Sequence, residues 1–434
     1  MPKRKLKAID NLHENVYNLR KRQINIRRLD EAKMINNEFR PETLEYMNEV
    51  NVEYRKSLGQ YFTPESIREK LLSKLPKKET PKILDPGCGT GEFLLTAQKY
   101  FESPELYGWD IDEELVRISQ KLVPDARIDK TNALNQNDYG KYDFIIGNPP
   151  YYEFCTDTEL REKFGEVING RTNIYNLFIY QGIKLLKPGG YLAYVVSPSM
   201  NNGAFFSKLR NYIVENCNIE YLSVLDSPNL FDGALQSVML LILKKGQNKG
   251  DYIFKKNGIL IFSEKVDYLT KIFEGKTTLS ELGYIVKTGR LVWNDNKHLL
   301  TNEAEGGIPL IWSYNITPEG LKLGNHKRPQ YVKTTKDYDM GPAIVVNRIV
   351  GRPGAGRIRA TLVPPGMKFI GENHVNVIFP PKQAQLLQRG KTVELDDILE
   401  QLNSPEKMGV VQSITGNTQV SKNELENLFP INVK

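Results

Sequence analysis

Two short segments of this 434-residue chain bring together residue types that can do chemistry. The first is Asn148-Pro149-Pro150-Tyr151, which ends the β-rich run Tyr142-Asp-Phe-Ile-Ile-Gly147. Proline has no backbone N–H, so this loop is stiff and dominated by acceptors. The Asn148 side-chain carbonyl and the Pro149 main-chain carbonyl can face one planar NH₂ group and hold both of its hydrogens. Held that way, the nitrogen is drawn out of conjugation and its lone pair is freed for attack, a gain of positioning and electrostatics. Tyr151 offers a flat ring on which a base can stack. The plainer alternative is a two-proline turn after a strand.

The second segment is Asp85-Pro86-Gly87-Cys88-Gly89-Thr90-Gly91, between a strand-like run and a helical one. Glycines let backbone approach a ligand closely, and a helix N-terminus supplies free N–H groups. The spacing matches neither a dinucleotide fingerprint nor a phosphate-binding P-loop. Twenty-five residues beyond Asp85, the next strand-like run ends in Trp109-Asp110-Ile111-Asp112. An acidic side chain there can accept hydrogen bonds from both hydroxyls of a ribose. A plain strand-to-helix turn with a capping aspartate is the competing reading.

These residues need a scaffold. From about 80 to 245, strand-like runs (KILDP, ELYGWDID, ARIDKTNAL, KYDFIIGNPP, YLAYVVSPS, IEYLSVLDS, SVMLLILKK) alternate with helical ones, including GEFLLTAQKYF and NIYNLFIYQGIKLLK. Such alternation predicts a parallel sheet with helices on both faces. Pro188-Gly189-Gly190 is expected to stop the second of those helices. Ile9, Leu12, Val16 and Leu19 fall on one helical face of a basic N-terminal segment, 1–54. After about residue 275 glycine and proline rise, and helical periodicity fades until Leu395–Leu402, which reads as a β-rich second domain.

Asp85–Gly91 resembles motif I of S-adenosylmethionine-dependent methyltransferases, and the Asp110 strand end resembles their motif II. Asn148–Tyr151 resembles motif IV of amino-methylating enzymes, where asparagine rather than serine favours adenine N6 over cytosine N4. Gly59-Gln-Tyr61-Phe-Thr63-Pro64 resembles motif X of gamma-class N6-adenine DNA methyltransferases, and the order X, I, IV fits that class. The resemblance implies a Rossmann-like α/β domain with a mostly parallel seven-stranded sheet at 55–275, and a β-rich target-recognition domain at 276–434. It implies cofactor contacts from Tyr61, Thr63, Asp85, Pro86, Gly87, Gly89, Gly91, Asp110, Ile111 and Asn148, with Asn132 and Ala133 in the place of motif III. Asn148, Pro149, Pro150 and Tyr151 would be the catalytic loop. Phe231, in Asn229-Leu-Phe231, resembles motif VIII and would pack on a flipped adenine opposite Tyr151. Because the electrophile is already a sulfonium methyl, no strong base is needed. A base held in this loop cannot remain in its duplex, so base flipping follows.

Charge points the same way. The net charge of +7 is unevenly spread. Residues 1–28 hold nine lysines and arginines against Asp10 and Glu14, and residues 321–370 hold ten against Asp337 and Asp339. Two positive surfaces suit a polyanion such as double-stranded DNA. Arg290, Arg348, Arg352, Arg357 and Arg359 are candidates for phosphate or base contact, and Arg357 and Arg359 would share a face if extended. The segments Lys287–Asn294, Asn347–Arg352 and Thr415–Gln419 are similar to parts of recognition domains in restriction–modification methylases.

Several classes recede. The longest aliphatic run, Val238–Leu243, is far short of the roughly 20 residues of a membrane span. Cys88, Cys155 and Cys217 cannot form a disulfide framework, which fits a reducing cytoplasm, and with four scattered histidines they suggest no metal site. Enzymes that methylate glutamine in release factors resemble the glycine loop and tetrad too, but they lack the Gly59–Pro64 segment and a long basic C-terminal region. An RNA substrate and a catalytically idle DNA-binding module are further alternatives. About 58 residues precede Gly59, too few for a fused nuclease by ordinary domain size, so a separate restriction endonuclease is the expected partner of a monomeric modification enzyme.

Overall fold

The computed structural model of the protein describes residues 38–154, 158–170, 172–225, 238–324, 326–334, 337–348, 357–381, 393–414 and 419–433. Phe231, Arg352, the apolar face at Ile9–Leu19 and most of Thr415–Gln419 lie outside these residues.

Seven strands build the central sheet: β1 (Lys82–Asp85), β2 (Glu105–Asp110), β3 (Arg127–Lys130), β4 (Tyr142–Gly147), β5 (Leu186–Val196), β6 (Cys217–Leu225) and β7 (Val238–Lys245). Their order is β3-β2-β1-β4-β5-β7-β6. β3 through β5 pair in parallel, while β7 runs antiparallel to both neighbours, so the sheet is mixed and mostly parallel, as expected. Successive side chains of a strand face opposite ways. Ile83, Phe144 and Ile146 therefore enter one core cluster with Leu71, Phe93 and Leu94, while Leu84 and Ile145 enter the other with Tyr175, Leu177 and Ile183. Helices α1 (Pro41–Glu49), α2 (Glu65–Leu72), α3 (Glu92–Tyr100), α4 (Glu113–Leu122), α5 (Ile174–Leu185) and α6 (Ser207–Asn216) surround the sheet. The expected break after α5 comes earlier than Pro188: the helix ends at Leu185 and β5 begins at once at Leu186.

α1 begins with Pro41 at its first position, where no N–H partner is needed. It straps the glycine loop: Thr43 donates to the Thr90 hydroxyl at 2.9 Å, and the Arg40 main-chain N–H donates to Glu92 at 2.8 Å.

The C-terminal part holds a four-stranded antiparallel sheet, ordered Ile285–Thr288, Val375–Phe379, Ala343–Asn347, Ala360–Val363. A second sheet of five short strands, including Ile308–Ile311 and Lys368–Gly371, lies beside it. The helix Leu395–Asn403 covers the first sheet through Ile398 and Leu402. Two further helices, Pro405–Ile414 and Lys422–Asn427, have no clear apolar periodicity in sequence. The second carries a readable capping box, Ser421 with Glu424. Among the described residues no helix is long and apolar enough to cross a membrane.

Candidate active site

The strand order reverses between β1 and β4, where open α/β sheets bind ligands beyond their strand C-termini. A cavity of about 400 Å³ opens there. Asp85 ends β1, Asp110 ends β2 and Asn148 follows β4, so three separate motifs meet at one sheet edge. Tyr61, Thr63, Asp85, Pro86, Gly87, Gly89, Asp110, Ile111, Asn132, Ala133, Asn148 and Pro150 all line the cavity.

The acidic pair is deeply set. The Asp85 carboxylate accepts from the Gly87 N–H at 3.1 Å, and burial pushes it up to about 8. Gly147 is required beside it, because a Cβ there would stand 2.5 Å from Asp85 Oδ1. Asp110 accepts from the main-chain N–H groups of Gly89 and Asp112, each at 2.9 Å, and burial raises it as well. Gly89 has a left-handed φ of 54° with open space where a side chain would be, leaving its backbone accessible.

The tetrad is tied to the segment before the glycine loop. Asn148 Nδ2 donates to the Tyr61 carbonyl at 2.8 Å, and the Tyr151 N–H donates to the Gly59 carbonyl at 3.2 Å. The other amide atom, Asn148 Oδ1, is buried and has no hydrogen-bond partner. Thr63 Oγ1 is a second buried polar atom without a partner. Buried polar atoms are normally paired, and both of these belong to residues that line the cavity.

Some expected residues sit differently. Gly91 does not line the cavity; with φ 91° it starts α3, and a Cβ would press on Ser119, so it serves helix packing. Pro149 and Tyr151 are also outside the lining. The Tyr151 hydroxyl donates to the Val195 carbonyl at 2.6 Å, and its ring lies edge-on to Tyr61 and tilted against Tyr175. Tyr152, not Tyr151, lines the cavity. Asn132 does line it, but its side-chain Oδ1 is engaged by the Leu134 N–H at 3.0 Å.

Sequence reasoning missed the buried pair Arg68–Glu92. Arg68 donates to Glu92 at 2.8 Å, to Thr96 at 2.9 Å and to the Thr63 carbonyl, fixing the segment that carries Thr63. Glu92 directly follows the glycine loop and was open to notice, but nothing about Arg68 marks it in sequence.

The described arginines among the C-terminal candidates have separate partners. Arg290 pairs with Asp339 at 2.6 Å, Arg348 donates to the Asn373 carbonyl, and Arg359 donates to the Ser313 carbonyl at 3.4 Å. Arg357 and Arg359 are exposed on either side of buried Ile358, so they do share a face. No group of three or more potential metal ligands occurs among the described residues.

The chain is 25% identical over 321 residues to the modification methylase CviBIII of Paramecium bursaria Chlorella virus NC1A, covering 72% of this chain and 80% of that protein. It is 23% identical over 447 residues to the type II methyltransferase M.BsuBI of Bacillus subtilis, covering 87% and 88%. Among solved structures, the type I restriction–modification methyltransferase subunit from Streptococcus thermophilus is 16% identical with a TM-score of 0.39, covering 50% of this chain and 53% of that one. Residues 42–282 match the family model for N-6 DNA methylases, more than half of the chain, and the protein belongs to that family.

Proposed function

We propose that the protein is a DNA adenine-N6 methyltransferase that uses S-adenosylmethionine and acts on an adenine flipped from double-stranded DNA. The observation that carries this reading is the buried, unpartnered Oδ1 of Asn148, a residue that lines the cavity. An acceptor in that position asks for a donor, and an exocyclic amino group supplies it.

The residues present fit the cofactor. Asp110 retains acceptor capacity for ribose hydroxyls, Gly87 and Gly89 expose backbone, and Thr63 Oγ1 lacks a partner. When bound, S-adenosylmethionine supplies an activated methyl group. The chain's own work is then to hold the acceptor nitrogen. Asn148 Oδ1 and the Pro149 carbonyl accept its two hydrogens, and the Asn148–Tyr61 hydrogen bond fixes which amide atom faces the substrate. Pro150 stiffens the loop. Tyr151 is anchored by its hydroxyl, and its ring would take the base. Phe231 would complete that stack. Arg290, Arg348, Arg352, Arg357 and Arg359 would contribute to the DNA surface of the C-terminal domain, residues 276–434. As a monomeric modification enzyme, the protein would protect sites cut by a separate restriction endonuclease.

The test is acceptor class. Labelled methyl groups offered with double-stranded DNA, RNA or release-factor protein should enter DNA alone. Incorporation into RNA or protein and not DNA would overturn the reading.

A further inference from the structure

The arginine best prepared to meet an anion is none of those singled out by sequence. Arg328 lies in the loop before the strand Tyr331–Val332, with its guanidinium carbon 5.1 Å from the Trp293 ring centre and 5.0 Å from that of Trp312. Trp312 is 2% exposed and stacks on Tyr314, and exposed His326 stacks on Tyr314 at 3.6 Å. The loop under Arg328 is bolted down. Trp312 Nε1 donates to the Pro329 carbonyl at 2.9 Å, and buried Gln330 donates to both the Tyr314 hydroxyl and the Arg328 carbonyl at 2.9 Å.

Arg328 is exposed, and its guanidinium makes no hydrogen bond or ion pair with another described residue. The same holds for ion pairs of neighbouring Lys297, which sits over the Trp293 ring, and Lys327. A guanidinium lying on aromatic faces keeps its N–H edge free while losing little side-chain freedom on binding. Arg290, by contrast, already spends its charge on Asp339.

We propose that this layer of Arg328 on Trp293 and Trp312 is a phosphate-backbone grip for double-stranded DNA, with the Arg328 N–H edge on a non-bridging phosphate oxygen. The proposal rests on the DNA reading above. Phosphate is favoured over a base edge because exposed Lys297 and Lys327 widen the positive charge around Arg328, and half or more of protein–DNA hydrogen bonds go to phosphate and sugar.

The test is fluorescence anisotropy of the full chain with labelled duplexes over a series of salt concentrations. Wild-type binding that weakens steeply with salt is the required baseline; no binding to DNA at all would overturn the DNA reading itself, and this grip with it. Given that baseline, Arg328→Gln should weaken binding roughly tenfold on target and non-target duplexes alike, and should reduce the logarithmic salt slope by about one. Trp293→Leu retains the charge but loosens the layer, and should weaken binding in the same uniform way by a smaller factor. Arg328 is exposed and Trp293 half-buried, and unchanged melting temperatures would confirm folding. Unaltered affinity and slope in Arg328→Gln would overturn the grip. A loss confined to the target sequence would overturn it too, assigning Arg328 to a base.

Discussion

Asn148 Nδ2 donates to the main-chain carbonyl of Tyr61 at 2.8 Å across 87 residues of sequence. That one bond orients the amide: its nitrogen is used internally, and its oxygen is left buried without a partner. A second tie, from the Tyr151 N–H to the Gly59 carbonyl, locks the same two segments together.

Gly59 should therefore tolerate no side chain. Its φ is 66°, and a Cβ would collide with the Tyr151 main chain. Gly59→Ala should lower the methylation rate by at least about tenfold, since misplacing a catalytic loop by an ångström costs on that order or more. Single-turnover kinetics beside a melting curve would check this. A wild-type rate would show that the juncture does not set the loop.

Tyr151 separates two roles. Tyr151→Phe leaves the ring but strands the Val195 carbonyl, so stability should fall by about 1–3 kcal/mol with most activity retained. Tyr151→Ala should lose activity as well. Equal kinetic loss in both variants would place the role in the hydroxyl rather than the ring. Denaturant titration and initial rates distinguish the cases.

The two halves of the chain are stitched by a buried polar contact. Asn202, in the loop after β5, donates to Glu424 at 2.5 Å and to the Ile414 carbonyl. Asn202→Ala leaves a buried carboxyl and a carbonyl without that donor and should cost about 1–3 kcal/mol in urea unfolding. A change within error would mean the contact is replaced or dispensable.

Stability should depend on pH with an unusual sign. Burial raises Asp85 to about 8 and Glu424 to about 7 in the folded protein. Between about pH 4 and 8 the unfolded chain then binds fewer protons than the folded one, so stability falls as pH rises. Glu65, lowered by its hydrogen bond with Lys99, acts oppositely and only toward acid, where its contribution is lost. The melting temperature of the cofactor-free protein should decline from about pH 5 to 8. Asp85→Asn should flatten that decline. A slope unchanged by the substitution would locate the effect elsewhere.

What could be read from sequence was what is local in sequence. The glycine loop and the tetrad each follow directly from the strand that places them, so strand, turn and chemistry appear in one short window. The union of Gly59 with Tyr151, and of Tyr61 with Asn148, depends on how segments far apart in the chain pack. Arg68 looks like any surface cation of an amphipathic helix until Glu92 and Thr63 are seen beside it. Arg328 was one charge in a basic run, because Trp293 and Trp312 lie 35 and 16 residues away from it. Sequence does not distinguish Tyr152 from Tyr151, since alternation along an irregular loop gives no rule for which ring lines a cavity.

The most direct measurement is the chemical identity of the methylated base. Purified protein is incubated with S-adenosylmethionine and unmethylated duplex DNA, the product is digested to nucleosides, and methylated species are quantified by mass spectrometry for wild type and Asn148→Ala. N6-methyladenine in the wild type, falling by about a hundredfold or more in the variant, is the expected result for loss of an oriented acceptor at the reacting nitrogen. Methylation of another base, or N6-methyladenine undiminished by loss of Asn148, would contradict the assignment of this loop as the adenine-holding site.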